Sequence, residues 1–135
     1  MWILAAIGLQ CAGGVLVPIN TRHKGAEAAY ALEKSRARML FTMGDFLGTN
    51  YVETIRAQQT PRLERVVVLR GDAQGEQSWA DFLASGEAVD EATARERSAA
   101  VGPDDLADMM FTSGTTGKPK AAMTRHGQNL RVFEV

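Results

Sequence analysis

The stretch LADMMFTSGTTGKPK, residues 106–120, decides how the rest of the chain is read. Its first half (LADMMF) is a short apolar run of strand length. Its second half, Thr112, Ser113, Gly114, Thr115, Thr116, Gly117, Lys118, Pro119 and Lys120, holds two glycines, four hydroxyl side chains and two lysines. That composition suits a polyphosphate. Glycines let the backbone come close and turn several N–H groups toward one anion. Hydroxyls donate to phosphate oxygens, and a lysine adds a compact positive charge. A loop leaving the carboxyl end of an apolar strand is also where open α/β sheets bind their ligands. The segment is not a Walker loop, which needs four residues between its first glycine and its Gly-Lys pair, followed by Ser or Thr. Here only Thr115 and Thr116 separate Gly114 from Gly117, and Pro119 follows Lys118. The plain alternative is a solvated Ser/Thr/Gly turn.

Outward from this loop, helical and strand patterns alternate. Residues 2–12 (WILAAIGLQCA) read as a buried helix stopped by Gly13-Gly14, and residues 15–17 as a buried strand ended by Pro18. Residues 25–34 are rich in helix formers, with Ala26, Ala29, Tyr30 and Leu32 as the apolar face. Residues 38–42 (RMLFT) have strand length. Residues 44–57 read as one helix, with Pro61 beyond it, and residues 65–70 (RVVVLR) form the clearest strand. A turn-rich loop (71–75), a short capped helix (78–84), a charged surface segment (90–100) and the Gly102-Pro103 break lead into the strand at 106–111. Residues 128–135 read as the first turns of another helix. Strands that are apolar throughout, set between helices, predict an α/β domain with a mostly parallel sheet flanked by helices.

The 135 residues are 45% hydrophobic and 23% charged, an ordinary globular composition. With 15 basic and 16 acidic residues the net charge is -1, and no basic block gives nucleic acid an electrostatic foothold. Cys11 is the only cysteine, which excludes an internal disulfide and any multi-cysteine metal site; a reducing cytoplasm is the expected compartment. Residues 1–20 carry no charged side chain. Nothing basic precedes Trp2, as a signal peptide requires. Gln10, Gly13, Gly14 and Pro18 interrupt what a membrane span would keep apolar for roughly 20 residues. No capping residue precedes Trp2 and no terminator follows the last helix, so the expectation is a piece cut in mid-element at both ends.

The string MMFTSGTTGKPK, residues 109–120, resembles the AMP-binding signature of the adenylate-forming superfamily: acyl-CoA synthetases, peptide-synthetase adenylation domains and luciferases. AGGVLVPINTR (12–22), the helix at 27–35 and the strand at 38–42 resemble an upstream block of the same large domain. The likeness runs along nearly the whole chain and is loose between Arg70 and Gly102. It is nearest to bacterial acyl-CoA synthetases, and residues 39–49 lean toward those acting on fatty acids or bulky ring-bearing acids. The resemblance therefore implies a partial AMP-binding domain over residues 1–135, from a large N-terminal domain. It implies ATP and coenzyme A as co-substrates, with magnesium bound by a motif outside this sequence. A carboxylate would attack the α-phosphate of ATP, pyrophosphate would leave, and a thiol would take the acyl group from AMP.

On the same resemblance Thr112, Ser113, Thr115 and Thr116 hold the β- and γ-phosphates through hydroxyls and N–H groups. Gly114 and Gly117 allow close approach, and Lys120 supplies charge. Lys118 occupies a variable position and is expected to face solvent. Relatives usually place glycine after the final lysine; here it is Ala121, which puts the start of the following strand in question. The family's adenine-binding segment, its Tyr-Gly-x-Thr-Glu motif, its ribose-binding aspartate and its C-terminal catalytic lysine fall outside these residues. No catalytic residue is assigned, and the 135 residues alone are expected to lack ligase activity. The alternatives are a free-standing nucleotide-binding module without chemistry, an adenylation domain with another acceptor, and a membrane-associated protein anchored by residues 1–20.

Other residues read as structural. Trp79 and Phe82 are expected to anchor a core, Met109 and Met110 to pack the sheet, and His126 to start a helix. Asp104, Asp105 and Asp108 read as the solvated start of a strand rather than a metal site. Asn20-Thr21-Arg22 reads as a turn, and residues 91–97 as a solvated helical face.

Overall fold

The computed structural model describes residues 1–112 and 119–132. The elements in chain order are α1 (Trp2–Cys11), α2 (Gly25–Ser35), β1 (Met39–Met43), β2 (Asp45–Phe46), β3 (Thr49–Asn50), α3 (Tyr51–Arg56), β4 (Arg65–Arg70), β5 (Gln77–Ser78), α4 (Trp79–Gly86), α5 (Glu91–Ala99), β6 (Leu106–Thr112), β7 (Lys120–Arg125) and α6 (His126–Arg131). They form two compact units. The first comprises residues 1–2 and 19–88, the second residues 3–18 and 89–135.

The first unit is built on a parallel sheet in the order β1-β4-β5. Its centre is β4, whose Val67, Val68 and Leu69 are buried, as a strand covered on both faces requires. Helices α2 and α3 contribute Ala28, Leu32 and Ile55 to one cluster, against which Ile19, Ala37, Leu40 and Leu63 pack. The buried face of α2 is Ala28, Ala29, Ala31 and Leu32; Ala26, expected on it, is exposed. Trp79 and Phe82 are half-buried on α4. Their rings stack 5.7 Å apart, and Phe41 of β1 meets both edge-on at 6.4 and 5.2 Å. Ser78 caps α4 by accepting from the Asp81 N–H at 3.1 Å.

Residues 44–57 are not one helix. They form the β2–β3 hairpin, pairing Asp45 with Asn50 and Phe46 with Thr49, before α3 begins. Leu47 and Gly48 both sit at positive φ (54° and 74°), the two-residue turn whose twist matches antiparallel strands. Asn50 then caps α3, its side chain accepting from the Glu53 N–H at 3.1 Å. The cap and the turn outweigh a helical spacing of apolar residues that is real but belongs only to the second half. Val52 and Ile55 of α3 are indeed buried.

In the second unit α1 forms as expected, but it is not buried. Ala5 alone is inaccessible, while Ile3, Leu4 and Ile7 are more than half exposed. A helix that is apolar all round needs partners all round, and the described residues supply them for one side. The expected strand at 15–17 reduces to a single bridge, Leu16 beside Asp108 in parallel sense; Pro18 cannot donate to a longer ladder. Helix α5 is exposed along its length and capped by Asp90, which accepts from the Thr93 N–H at 2.9 Å. That bond and the Thr93 hydroxyl hold the Asp90 carboxyl below its ordinary range. No helix among the described residues is long and apolar enough to cross a membrane.

Candidate functional site

Strands β6 and β7 are antiparallel, and the predicted phosphate loop is the segment that joins them. Ser113, Gly114, Thr115, Thr116, Gly117 and Lys118 lie outside the described residues, so the geometry concerns what holds that segment. Its two flanks, Thr112 and Lys120, are cross-strand partners. The Thr112 hydroxyl donates to the Lys120 carbonyl at 3.4 Å, a long bond. Both residues are exposed. Ala121 begins no disruption: it pairs with Phe111 inside the ladder and is half-buried, so its methyl is accommodated where the resemblance implied a glycine.

The hairpin is held on its other edge too. Leu16 donates its N–H to the Ala107 carbonyl at 2.9 Å and accepts from the Met109 N–H at 2.8 Å. The Gln10 amide adds a bond to the Ala107 carbonyl at 3.3 Å. Strand β6 therefore has backbone partners on both sides, which is why Ala107 is only 1% exposed. Met110, expected to pack the sheet, is instead 52% exposed, and Met109 is half-buried. Strand alternation places Met110 on the same face as Thr112, and that face is open.

At its base the hairpin carries a bulge. Leu106 pairs with Arg125 and Asp108 with Thr124, so Ala107 is the extra residue on β6. Directly above the bulge Asp108 accepts two bonds, from the Thr124 hydroxyl at 2.6 Å and from the Asn129 amide at 2.6 Å. Asp108 is half-buried. Its reading as a solvated residue at the start of a strand is thus corrected, because it ties β6, β7 and α6 together. Asp105 and Asp104 are equally local in purpose. The Asp105 carboxylate accepts from the Gly102 N–H at 2.8 Å, and the Asp104 carbonyl accepts from Arg125 at 2.7 Å. The start of α6 is fixed against the same turn, with the His126 N–H donating to the Asp105 carbonyl and the Gly127 N–H to the Pro103 carbonyl. His126 begins α6, as expected. Among the described residues no group of three or more His, Cys, Asp or Glu side chains could hold a metal ion.

Sequence reading singled out Thr112 and Lys120, which the structure pairs across the two strands, but missed Thr124 and Asn129. Neither residue type is distinctive alone, and their meaning comes from a carboxylate that folding brings between them.

A family model described as AMP-binding enzyme matches residues 1–134. The chain is 42% identical over 139 residues to a 3-[(3aS,4S,7aS)-7a-methyl-1,5-dioxo-octahydro-1H-inden-4-yl]propanoyl:CoA ligase of Rhodococcus jostii, a match covering 98% of this chain and 27% of that protein. To the enzyme of the same name from Mycobacterium tuberculosis it is 37% identical over 129 residues, covering 96% of this chain and 25% of that one. Among solved structures it matches an anthranilate CoA ligase, AuaEII, in complex with anthranoyl-AMP. The TM-score is 0.71 and the identity 32%, over 93% of this chain and 23% of the other. A luciferase from Phrixothrix hirtus, 19% identical at a TM-score of 0.66 over 93% of this chain and 24% of that one, shares the fold alone. The chain thus spans about a quarter of the length of the curated relatives it matches. With a match along almost its whole length, and with the glycine- and threonine-rich segment set between β6 and β7, this chain belongs to the AMP-binding enzymes, the adenylate-forming superfamily.

Proposed function

We propose that this chain is the phosphate-loop-bearing part of the AMP-binding domain of an ATP-dependent acyl-CoA synthetase. The observation that carries the reading is the placement of the segment 113–119 between two paired strands. Its flanks Thr112 and Lys120 stand opposite each other, on an α/β scaffold of this family. In the whole protein a carboxylate would displace pyrophosphate from ATP, and the acyl group would then pass from AMP to coenzyme A. Within that sequence this chain's task is positioning and charge compensation. Thr112, Ser113, Thr115 and Thr116 would donate to the β- and γ-phosphates, Gly114 and Gly117 would let the backbone approach, and Lys120 would offset charge on the departing pyrophosphate. Fixed donors are effective here because they need no reorganisation when the bond breaks.

For the acid, the names of the Rhodococcus jostii and Mycobacterium tuberculosis ligases support a carboxylic acid carried on a bulky ring system. A fatty acid is the second choice. The adenine-, ribose- and magnesium-binding motifs that the family resemblance implies fall outside these residues, so the 135-residue chain by itself is expected to show no ligase activity. The test is a full-length relative carrying residues 106–125 of this chain. Thr116→Ala together with Lys120→Ala is expected to depress ATP–pyrophosphate exchange by about 100-fold or more, the scale of losing preorganised transition-state donors. Wild-type exchange in that double variant would overturn the role assignment.

A further inference from the structure

We propose that Asp108 is a positioning residue for the phosphate loop, selecting through Thr124 and Asn129 the one β6–β7 register that sets Thr112 opposite Lys120. The inference rests on the reading of that loop given above.

The bulge creates the need. At Ala107 the ladder steps two residues along β6 for one along β7. A bulge puts the ladder beyond it one residue out of step with the ladder before it. A slip of one residue would turn every following side chain of one strand to the opposite face. It would also change which residue faces Thr112, and so the length of chain spanning the gap. The apolar pattern resists such a slip weakly. On the face shared by Asp108, Met110 and Thr112 the cross-strand partners are Thr124, Ala122 and Lys120, and Met110, Ala122 and both flanks are exposed. On the other face Met109, Phe111 and Ala121 are half-buried and Met123 is 58% exposed. Burial therefore pins the pairing of β7 only in part.

Asp108 supplies what burial does not. Its two carboxylate oxygens each take one donor at 2.6 Å, from the residue directly opposite on β7 and from the first helix after it. Bonds to a charged acceptor are short and stronger than neutral ones. In the slipped register Thr124 would no longer stand opposite Asp108, and the hydroxyl contact would be lost. Helix α6 cannot follow a slip, because its first two N–H groups are held by Asp105 and Pro103. The bonds of Asp108 thus tie the mobile variable, the pairing of β7, to a fixed one, the start of α6.

The polarity of the Asp108–Asn129 contact provides the test. Asn129→Asp sets two carboxylates against each other. Adding Asp108→Asn restores a donor facing an acceptor, with the amide now at position 108. Asp108→Asn alone is expected to be mild, since Asn129 can turn its own amide over. The 135-residue chain is titrated with sodium tripolyphosphate and followed by amide NMR, with cross-strand Overhauser contacts between residues 112 and 120 as the register readout. Asn129→Asp is expected to weaken tripolyphosphate binding about tenfold and to remove the 112–120 contacts. The double variant is expected to recover both to within about threefold of the parent chain.

A single variant that binds as the parent does, or a double variant as weak as the single one, would overturn the proposal. So would loss of the β4 amide signals alongside those of β6, since that would mark general unfolding. Should Asn129→Asp not fold, Thr124→Val removes only the hydroxyl. It is expected to weaken binding about threefold, and unchanged binding there would overturn the proposal as well. If the parent chain binds no tripolyphosphate, the reading of the loop fails instead. The 112–120 contacts then decide the role of Asp108 on their own, by the same pattern of loss and recovery.

Discussion

The two units of this chain are held together by different physics. Around the parallel sheet, Ala28, Ala29, Ala31, Leu32, Val52, Ile55, Val67, Val68 and Leu69 are buried. In the unit that carries the loop, only Ala5 and Ala107 are buried among the described apolar residues. There the shape is specified by directional bonds: Leu16 to β6, Asp108 to β7 and α6, and the turn at 103–105 to the start of α6. The first arrangement is tolerant of polar change at its surface and intolerant of lost volume. The second tolerates lost volume and is sensitive to the loss of one hydrogen bond. Under the proposed function, the flanks of the phosphate loop are placed by strand register, with Thr112 opposite Lys120.

That contrast can be broken by measurement. Leu32→Ala is expected to destabilise the first unit by about 2–5 kcal/mol, the cost of a cavity in a packed cluster. Met110→Gln in the second, although it also alters a large apolar side chain, is expected to fall within about 0.5 kcal/mol. Denaturant unfolding of both variants measures the difference, and comparable losses would contradict it. Ser78→Ala removes the cap of α4 and should cost about 1 kcal/mol, because the Asp81 N–H loses its acceptor.

The smallest effect is the pH dependence of α5. The carboxyl of Asp90 is held below its ordinary range, first by the Thr93 N–H and then by the Thr93 hydroxyl. A group depressed on folding contributes stability that is present above its unfolded value and is lost as pH falls through the folded one. Amide protection at Thr93 should therefore persist at neutral pH and decline below about pH 4, the ordinary carboxylate value. A decline that begins near neutrality would place the cap elsewhere.

How much of this was legible in the sequence depended on whether the signal was local. Strand β4 was readable because three valines and a leucine in succession have few other uses, and the capped start of α4 because Ser78 precedes a helical pattern. The β2–β3 hairpin was hidden, since Leu47 takes a positive φ that its side chain disfavours, and only the adjacent Gly48 hinted at a turn. Exposure of α1 could not be read from an apolar string, because burial depends on partners distant in sequence. At the candidate site, residue type and spacing singled out Thr112 and Lys120, which the structure pairs, while residues 113–118 lie outside the described residues. The tie of Asp108 to Thr124 and Asn129 was not, since it joins residues on three elements and arises only once the strands are paired.

Any account of this chain as part of an acyl-CoA synthetase turns on where ATP's phosphates lie. The most direct measurement is a crystal structure of a full-length protein carrying this segment, bound to a non-hydrolysable ATP analogue. The account predicts N–H and hydroxyl groups of residues 112–117 within hydrogen-bonding distance of the β- and γ-phosphates, with the Lys120 ammonium beside them. A triphosphate bound elsewhere, with residues 112–120 turned to solvent, would contradict it.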